Sequence, residues 1–152
     1  NGAVAADCIR DLLPQVVDRQ WDLALIVLGV NDTTHLTSRR RWRCHLQYLV
    51  EQLKICAGQV MLTEVPPLGH FRALPQPLRG WFGLRAGLMN RGLQQVAAEQ
   101  GAGYLSLDMP FEAAYLARDG YHPSAEGYRL WAAGIVRQLA LSEPASSALG
   151  AG

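Results

Sequence analysis

Lysine is almost missing from this chain. Lys54 is the only one; with the arginines it makes 14 basic side chains against 13 acidic ones, a net charge of +1. That balance favours neither a nucleic-acid backbone nor an anionic membrane surface as partner. The densest basic run, Arg39-Arg40-Arg41-Trp42-Arg43, reads first as the solvated face of a helix. Cysteine is scarce too. Cys8, Cys44 and Cys56 are odd in number and widely spaced, which argues against a disulfide framework. No C-x-x-C pair points to zinc, so small buried apolar residues are expected at these positions. His35, His45, His70 and His122 have no ligand-like spacing with carboxylates, so no metal is expected, and no cofactor. No apolar run reaches transmembrane length and no signal peptide is visible.

What is present is enough for a core. Of 152 residues, 49% are hydrophobic and 18% charged, the balance of a globular chain. Helical and extended patterns alternate along it. Residues 3–13 place Val4, Cys8, Ile9, Leu12 and Leu13 at helical spacing and stop at Pro14. Residues 22–28 form a continuous apolar run ending in Gly29, the pattern of a strand buried on both faces. A loop at 30–34 follows. Ser38 then caps a helix through residue 56, with Trp42, Leu46, Leu49, Val50 and Leu53 on one face.

Residues 59–65 read as a second strand, closed by Pro66 and Pro67. The stretch 66–80 is irregular, rich in Pro and Gly, and holds His70, Phe71 and Arg72; it is a candidate pocket wall, with Trp81 and Phe82 beside it. Core packing explains those two aromatics equally well. A helix is expected over 81–100, with Leu84, Leu88, Leu93, Val96 and Ala97 on its apolar side. A third strand at 103–108, a helical turn at 111–116 and a last helix from the Ser124 cap to 139 complete the pattern. Strands separated by helices of this length imply a parallel sheet. One domain over 1–141 is expected, with a small polar tail at 142–152.

Two short motifs bear chemistry. Asp119-Gly120-Tyr121-His122-Pro123 sets a carboxylate three residues before an imidazole. A carboxylate that accepts from one ring nitrogen fixes the tautomer and leaves the other nitrogen as a general base. The alternative is a loop aspartate and a surface histidine ahead of a helix. Gly29-Val30-Asn31-Asp32 ends the most apolar strand. The Asn31 amide has two donor hydrogens and could serve a developing oxyanion. Alternatively it satisfies its own turn.

Together these residues resemble the SGNH (GDSL-type) hydrolases. Gly29-Val30-Asn31-Asp32 resembles their G-x-N-D block, and Asp119 to Pro123 their D-x-x-H-P block. The opening Asn1-Gly2-Ala3-Val4-Ala5-Ala6-Asp7 resembles the segment with the family's oxyanion glycine. The resemblance implies a flavodoxin-like three-layer α/β/α sandwich with a parallel sheet and a Ser-His-Asp triad. His122 would be the base and Asp119 its orienter; Gly2 N–H and the Asn31 side chain would donate to the oxyanion. Gly29 and Asp32 would support the loop.

The family's nucleophile block, Gly-Asp-Ser, does not occur here. Ser38, Ser106, Ser124, Ser142, Ser146 and Ser147 are the serines, and none follows Gly-Asp. Ser38 and Ser124 read as helix caps. Because the chain begins at Asn1 without an initiator methionine, the expectation is a fragment of a hydrolase. It lacks the family's first strand or strands, and the run 23–28 would then expose an apolar strand edge. The missing segment could be a separate chain. The resulting expectation is a serine esterase, carboxylesterase- or lipase-like, acting on a small-molecule ester through an acyl-enzyme. Alone, the chain should be inactive. The alternatives are a degenerate hydrolase fold that binds carbohydrate or protein, and a flavodoxin-like module unrelated to hydrolases.

Overall fold

Apolar periodicity and two helix caps account for most of the architecture. The structure, a computed structural model, describes residues 2–71 and 73–142. Two compact units divide between Ser106 and Leu107.

In the first unit, a one-turn helix α1 (Ala5–Asp7) runs on as a π-helical turn (Cys8–Leu12) and a 3-10 turn (Leu13–Gln15). Helical backbone therefore passes the expected stop. Pro14 sits in the first turn of the 3-10 segment, where its missing N–H costs nothing. Three parallel strands follow in spatial order β1 (Trp21–Ile26), β2 (Ala57–Thr63), β3 (Gly103–Leu105). Leu23 pairs with Gln59 and Ile26 with Leu62; Met61 pairs with Gly103 and Thr63 with Leu105.

β1 departs from the expected double burial. Strand side chains alternate between faces. Ile26 points into the core, while Trp21, Leu23, Leu25 and Val27 are 36–48% exposed. Beside them an apolar groove of about 410 Å³ is lined also by Cys8, Leu12 and Leu13. Among the described residues β1 has a strand neighbour on one side only. A continuous apolar run records that both faces avoid water, but not whether anything covers them.

A five-residue helix α2 (Val30–Thr34) occupies the expected loop. Ser38 caps α3 (Arg39–Cys56), accepting from the Arg41 N–H at 3.3 Å. Trp42, Leu46, Leu49 and Val50 are buried on its inner face, and Arg39, Arg40 and Arg41 are exposed as a solvated face should be. Trp42 donates its indole N–H to the Met89 carbonyl at 2.9 Å, tying α3 to α4 (Leu78–Gln100). α4 starts three residues before the expected 81. It buries Phe82, Ala86, Met89, Leu93, Val96 and Ala97. Leu84, expected on the apolar side, is 75% exposed. The buried stripe is offset toward Phe82, Ala86 and Met89, so Phe82 belongs to the core and Trp81 to the surface. Of the cysteines, Cys56 is buried, Cys8 half-buried and Cys44 exposed, so the expected burial fails at Cys44. All three are free thiols.

The second unit contains a 3-10 turn (Ala113–Tyr115) and α5 (Ala125–Ser142). Ser124 caps α5: its hydroxyl accepts from the Gly127 N–H at 3.2 Å. Beyond Ser142 the expected tail lies outside the described residues, as does Arg72. Among the described residues no helix is long and apolar enough to cross a membrane.

Candidate active site

The Asp119–His122 segment is a short loop closed by its own backbone. Ala117 N–H donates to the His122 carbonyl at 2.7 Å, and Gly120 N–H to the Ala117 carbonyl at 2.9 Å. Leu116 and Pro123 form an antiparallel bridge at its base. Inside this loop the Asp119 carboxylate is used twice. Oδ1 accepts from the backbone N–H groups of Tyr121 (2.9 Å) and His122 (3.0 Å). Oδ2 lies 2.7 Å from His122 Nδ1. The His122 side chain foremost, then the two backbone donors, hold the Asp119 carboxyl down at about 2. An ionised Oδ2 at that distance accepts, so Nδ1 donates, and the neutral tautomer that this contact favours has its lone pair on Nε2. The Tyr121 ring meets the His122 ring edge-on at 5.6 Å. Both Asp119 and His122 side chains remain exposed to solvent.

The other candidate residues lie in the first unit. Gly29, just past β1, has φ +116°, a conformation L side chains rarely adopt. It turns the chain into α2, where Thr33 N–H and Thr33 hydroxyl both donate to the Gly29 carbonyl, at 2.9 and 2.7 Å. Asn31 does not spend its side chain on this turn. Its Nδ2 donates to the Ala3 carbonyl at 3.0 Å, 28 residues away in sequence. Next to it, Asp32 is fully buried. Asp32 Oδ2 accepts from the Ala5 N–H (2.9 Å) and Oδ1 from the Thr37 hydroxyl (3.0 Å). Burial pushes the Asp32 carboxyl up, opposed by the Ala5 and Thr37 hydrogen bonds. Two consecutive residues of the Gly29–Asp32 block thus grip the segment after Gly2. Gly2 itself is exposed, with φ +82°.

One participant escaped the sequence. Arg85, on α4, donates from Nε to the Thr33 carbonyl at 2.9 Å and from Nη2 to the Thr37 carbonyl. Its guanidinium stands 5.8 Å from the centre of the Trp81 ring. Backbone carbonyls leave no trace in side-chain pattern, so no motif announced this contact.

Residues 1–130 match the model of the GDSL-like Lipase/Acylhydrolase family. A GDSL-like esterase of Mycobacterium tuberculosis is 32% identical over 124 residues, a match covering 76% of this chain and 39% of that protein. The chain therefore spans about two-fifths of the length of that curated relative. Among solved structures, a GDSL-like lipase from Bacteroides thetaiotaomicron is similar with a TM-score of 0.75 at 19% identity, over 94% of this chain and 74% of that one. A lipase/acylhydrolase from Enterococcus faecalis gives 0.71 at 25% identity, over 91% and 71%. A psychrotrophic esterase from Pseudoalteromonas gives 0.73 at 17%, over 93% and 73%. The parallel sheet with packed helices is the α/β fold of these hydrolases, as the motifs implied.

Proposed function

This chain belongs to the GDSL-like lipase/acylhydrolase family, and on that premise we propose that it supplies the base, its orienter and two oxyanion donors of a serine ester hydrolase. The observation that supports this most is the 2.7 Å contact between Asp119 Oδ2 and His122 Nδ1. It leaves Nε2 as an accessible base on a loop that presets the ring.

The steps follow from that assignment. A serine hydroxyl attacks the ester carbonyl while His122 Nε2 takes its proton. Negative charge collects on the former carbonyl oxygen. The Gly2 N–H, the Asn31 side chain and the serine's own N–H donate to it. His122 then protonates the leaving alcohol, the carbon–oxygen bond breaks and an acyl-serine remains. Water then bonds to the acyl carbon as His122 Nε2 takes its proton, and the acyl–serine bond breaks as His122 returns that proton to the serine oxygen, releasing the acid. Asp119 stays ionised throughout.

None of the six serines follows Gly-Asp. In this reading the nucleophile comes from a polypeptide segment outside the sequence, paired along the free edge of β1. Among the described residues β1 has a strand neighbour on one side only, which supports the pairing, and the exposed apolar face of Leu23, Leu25 and Val27 supports further chain packed on that side of the sheet. The substrate would be a small-molecule ester.

A fluorophosphonate probe tests the reading. It should label the full-length natural polypeptide and leave this chain alone unlabelled. His122→Ala in the full-length protein should lower kcat on a short p-nitrophenyl ester by several orders of magnitude. Hydrolysis that survives the substitution nearly intact would sink the assignment. An unlabelled, inactive full-length protein would instead favour a degenerate fold that binds without catalysis.

A further inference from the structure

The hydrogen bonds around Asp32 form one connected path. Arg85 on α4 grips the carbonyls of Thr33 and Thr37. The Thr37 hydroxyl donates to Asp32 Oδ1, and Asp32 Oδ2 receives the Ala5 N–H. From the preceding residue, Asn31 Nδ2 reaches the Ala3 carbonyl. All these groups belong to the first unit. We propose that Asp32 and Arg85 are positioning residues that hold the Gly2–Ala5 segment and the Asn31 amide in the geometry an oxyanion requires. The inference rests on the esterase reading above and adds to it two residues that touch no reacting atom.

The physical reason lies in what each bond fixes. An amide nitrogen has two hydrogens, coplanar and about 120° apart. The bond to Ala3 occupies one and thereby sets the direction of the other. That direction is useful only if Ala3 itself is fixed. Gly2 is exposed with φ +82°. The local ties fall at Val4, whose N–H donates to Asp7 Oδ2 at 3.1 Å and whose carbonyl accepts from the Asp7 and Cys8 N–H groups. They join the segment to its own helical turn but not to the Gly29–Asp32 block. The Ala5 N–H bond to the buried Asp32 carboxylate supplies the anchor. Arg85 in turn stops the 33–37 turn from rotating Asp32 away. Oxyanion donors act through preorganisation, and a misplacement of about 1 Å can cost 100-fold in rate.

Kinetics on the full-length natural polypeptide test this. Asp32→Ala and Arg85→Ala should each lower kcat about 10- to 100-fold, with KM within about twofold. Asp32→Asn should stay within about threefold of wild type. Its amide oxygen still accepts from Ala5, and its amide nitrogen can donate to the Thr37 hydroxyl. A general loss of folding would lower kcat only in step with the unfolded fraction read from urea unfolding of each variant, whereas a positioning role lowers kcat in protein that is still fully folded. A second readout needs no activity. In this chain, hydrogen exchange at the Ala5 amide should speed up about tenfold or more in Asp32→Ala and stay near wild type in Asp32→Asn. If Asp32→Ala does not fold, Arg85→Ala serves for both readouts. Unchanged kcat in both alanine variants, with His122→Ala inactive, would overturn the positioning role and leave the esterase reading standing. If His122→Ala is fully active, the esterase reading fails instead, and the exchange data alone decide whether the network holds the segment.

Discussion

His122 Nδ1 and Asp119 Oδ2 stand 2.7 Å apart, while the other oxygen of the same carboxylate holds two backbone N–H groups of the same loop. One side chain therefore sets both the ring's tautomer and the shape of the loop that presents it. Asp119→Asn should separate these roles. The amide oxygen can keep the backbone bonds, but its nitrogen would face Nδ1 as a donor and favour the wrong tautomer. Under the proposed esterase reading, kcat of the polypeptide that carries the serine segment should fall about 10³- to 10⁴-fold with little change in KM. A loss below tenfold would show that the carboxylate is not the orienter.

The same geometry predicts a titration in this chain as it stands. The carboxyl of Asp119 is held at about 2, by the His122 side chain first and the two backbone donors next. Its folded pKa lies below the unfolded value. Its contribution to stability is thus present in full above the ordinary carboxylate range and is lost as pH falls through about 2. Carbon-13 detection of the side-chain carboxyl should show a midpoint near 2, and a midpoint in the ordinary aspartate range would mean that the loop does not hold this geometry in solution.

Gly29 is constrained twice over. Its φ of +116° disfavours any side chain, and a Cβ there would lie 2.6 Å from Val65 Cγ2. Gly29→Ala should destabilise the fold by about 2 kcal/mol or more, read from urea unfolding. A change within about 0.5 kcal/mol would show that the turn into α2 relaxes freely.

The exposed face of β1 predicts behaviour in solution. Leu25 is 39% exposed in a row with Trp21, Leu23 and Val27. This chain alone should self-associate with rising concentration, and Leu25→Lys should shift it toward the monomer in light scattering. Equal association in both proteins would place the sticky surface elsewhere.

The sequence revealed local features well and long-range ones poorly. Ser38 and Ser124 were legible as caps because capping is local chemistry between a hydroxyl and an N–H three residues on. The Asp119–His122 contact was legible for the same reason. The buried stripe of α4 was not, since Phe82 and Leu84 are both apolar and only the neighbouring helix decides between them. The bond from Asn31 to Ala3 was invisible too, because spacing does not reveal which backbone carbonyl a loop amide will meet. Arg85 is the extreme case: both its hydrogen-bond acceptors are backbone carbonyls.

Asp32 combines full burial with two hydrogen bonds, and the two effects oppose each other. Desolvation is the larger, so its carboxyl titrates above the unfolded value. Between those two pH values the folded state binds more protons than the unfolded one. Stability due to this group must then fall as pH rises through that window, and the cost persists above it. Asp32→Asn removes the ionisation and keeps a neutral group of the same shape. The variant should therefore be more stable than wild type at neutral pH, with the advantage shrinking toward zero as the buffer is acidified below the ordinary aspartate range. Urea unfolding of both proteins across that range measures the difference directly. A variant less stable than wild type at every pH would mean that the two charge-assisted hydrogen bonds outweigh burial, and that Asp32 strengthens the fold as an anion.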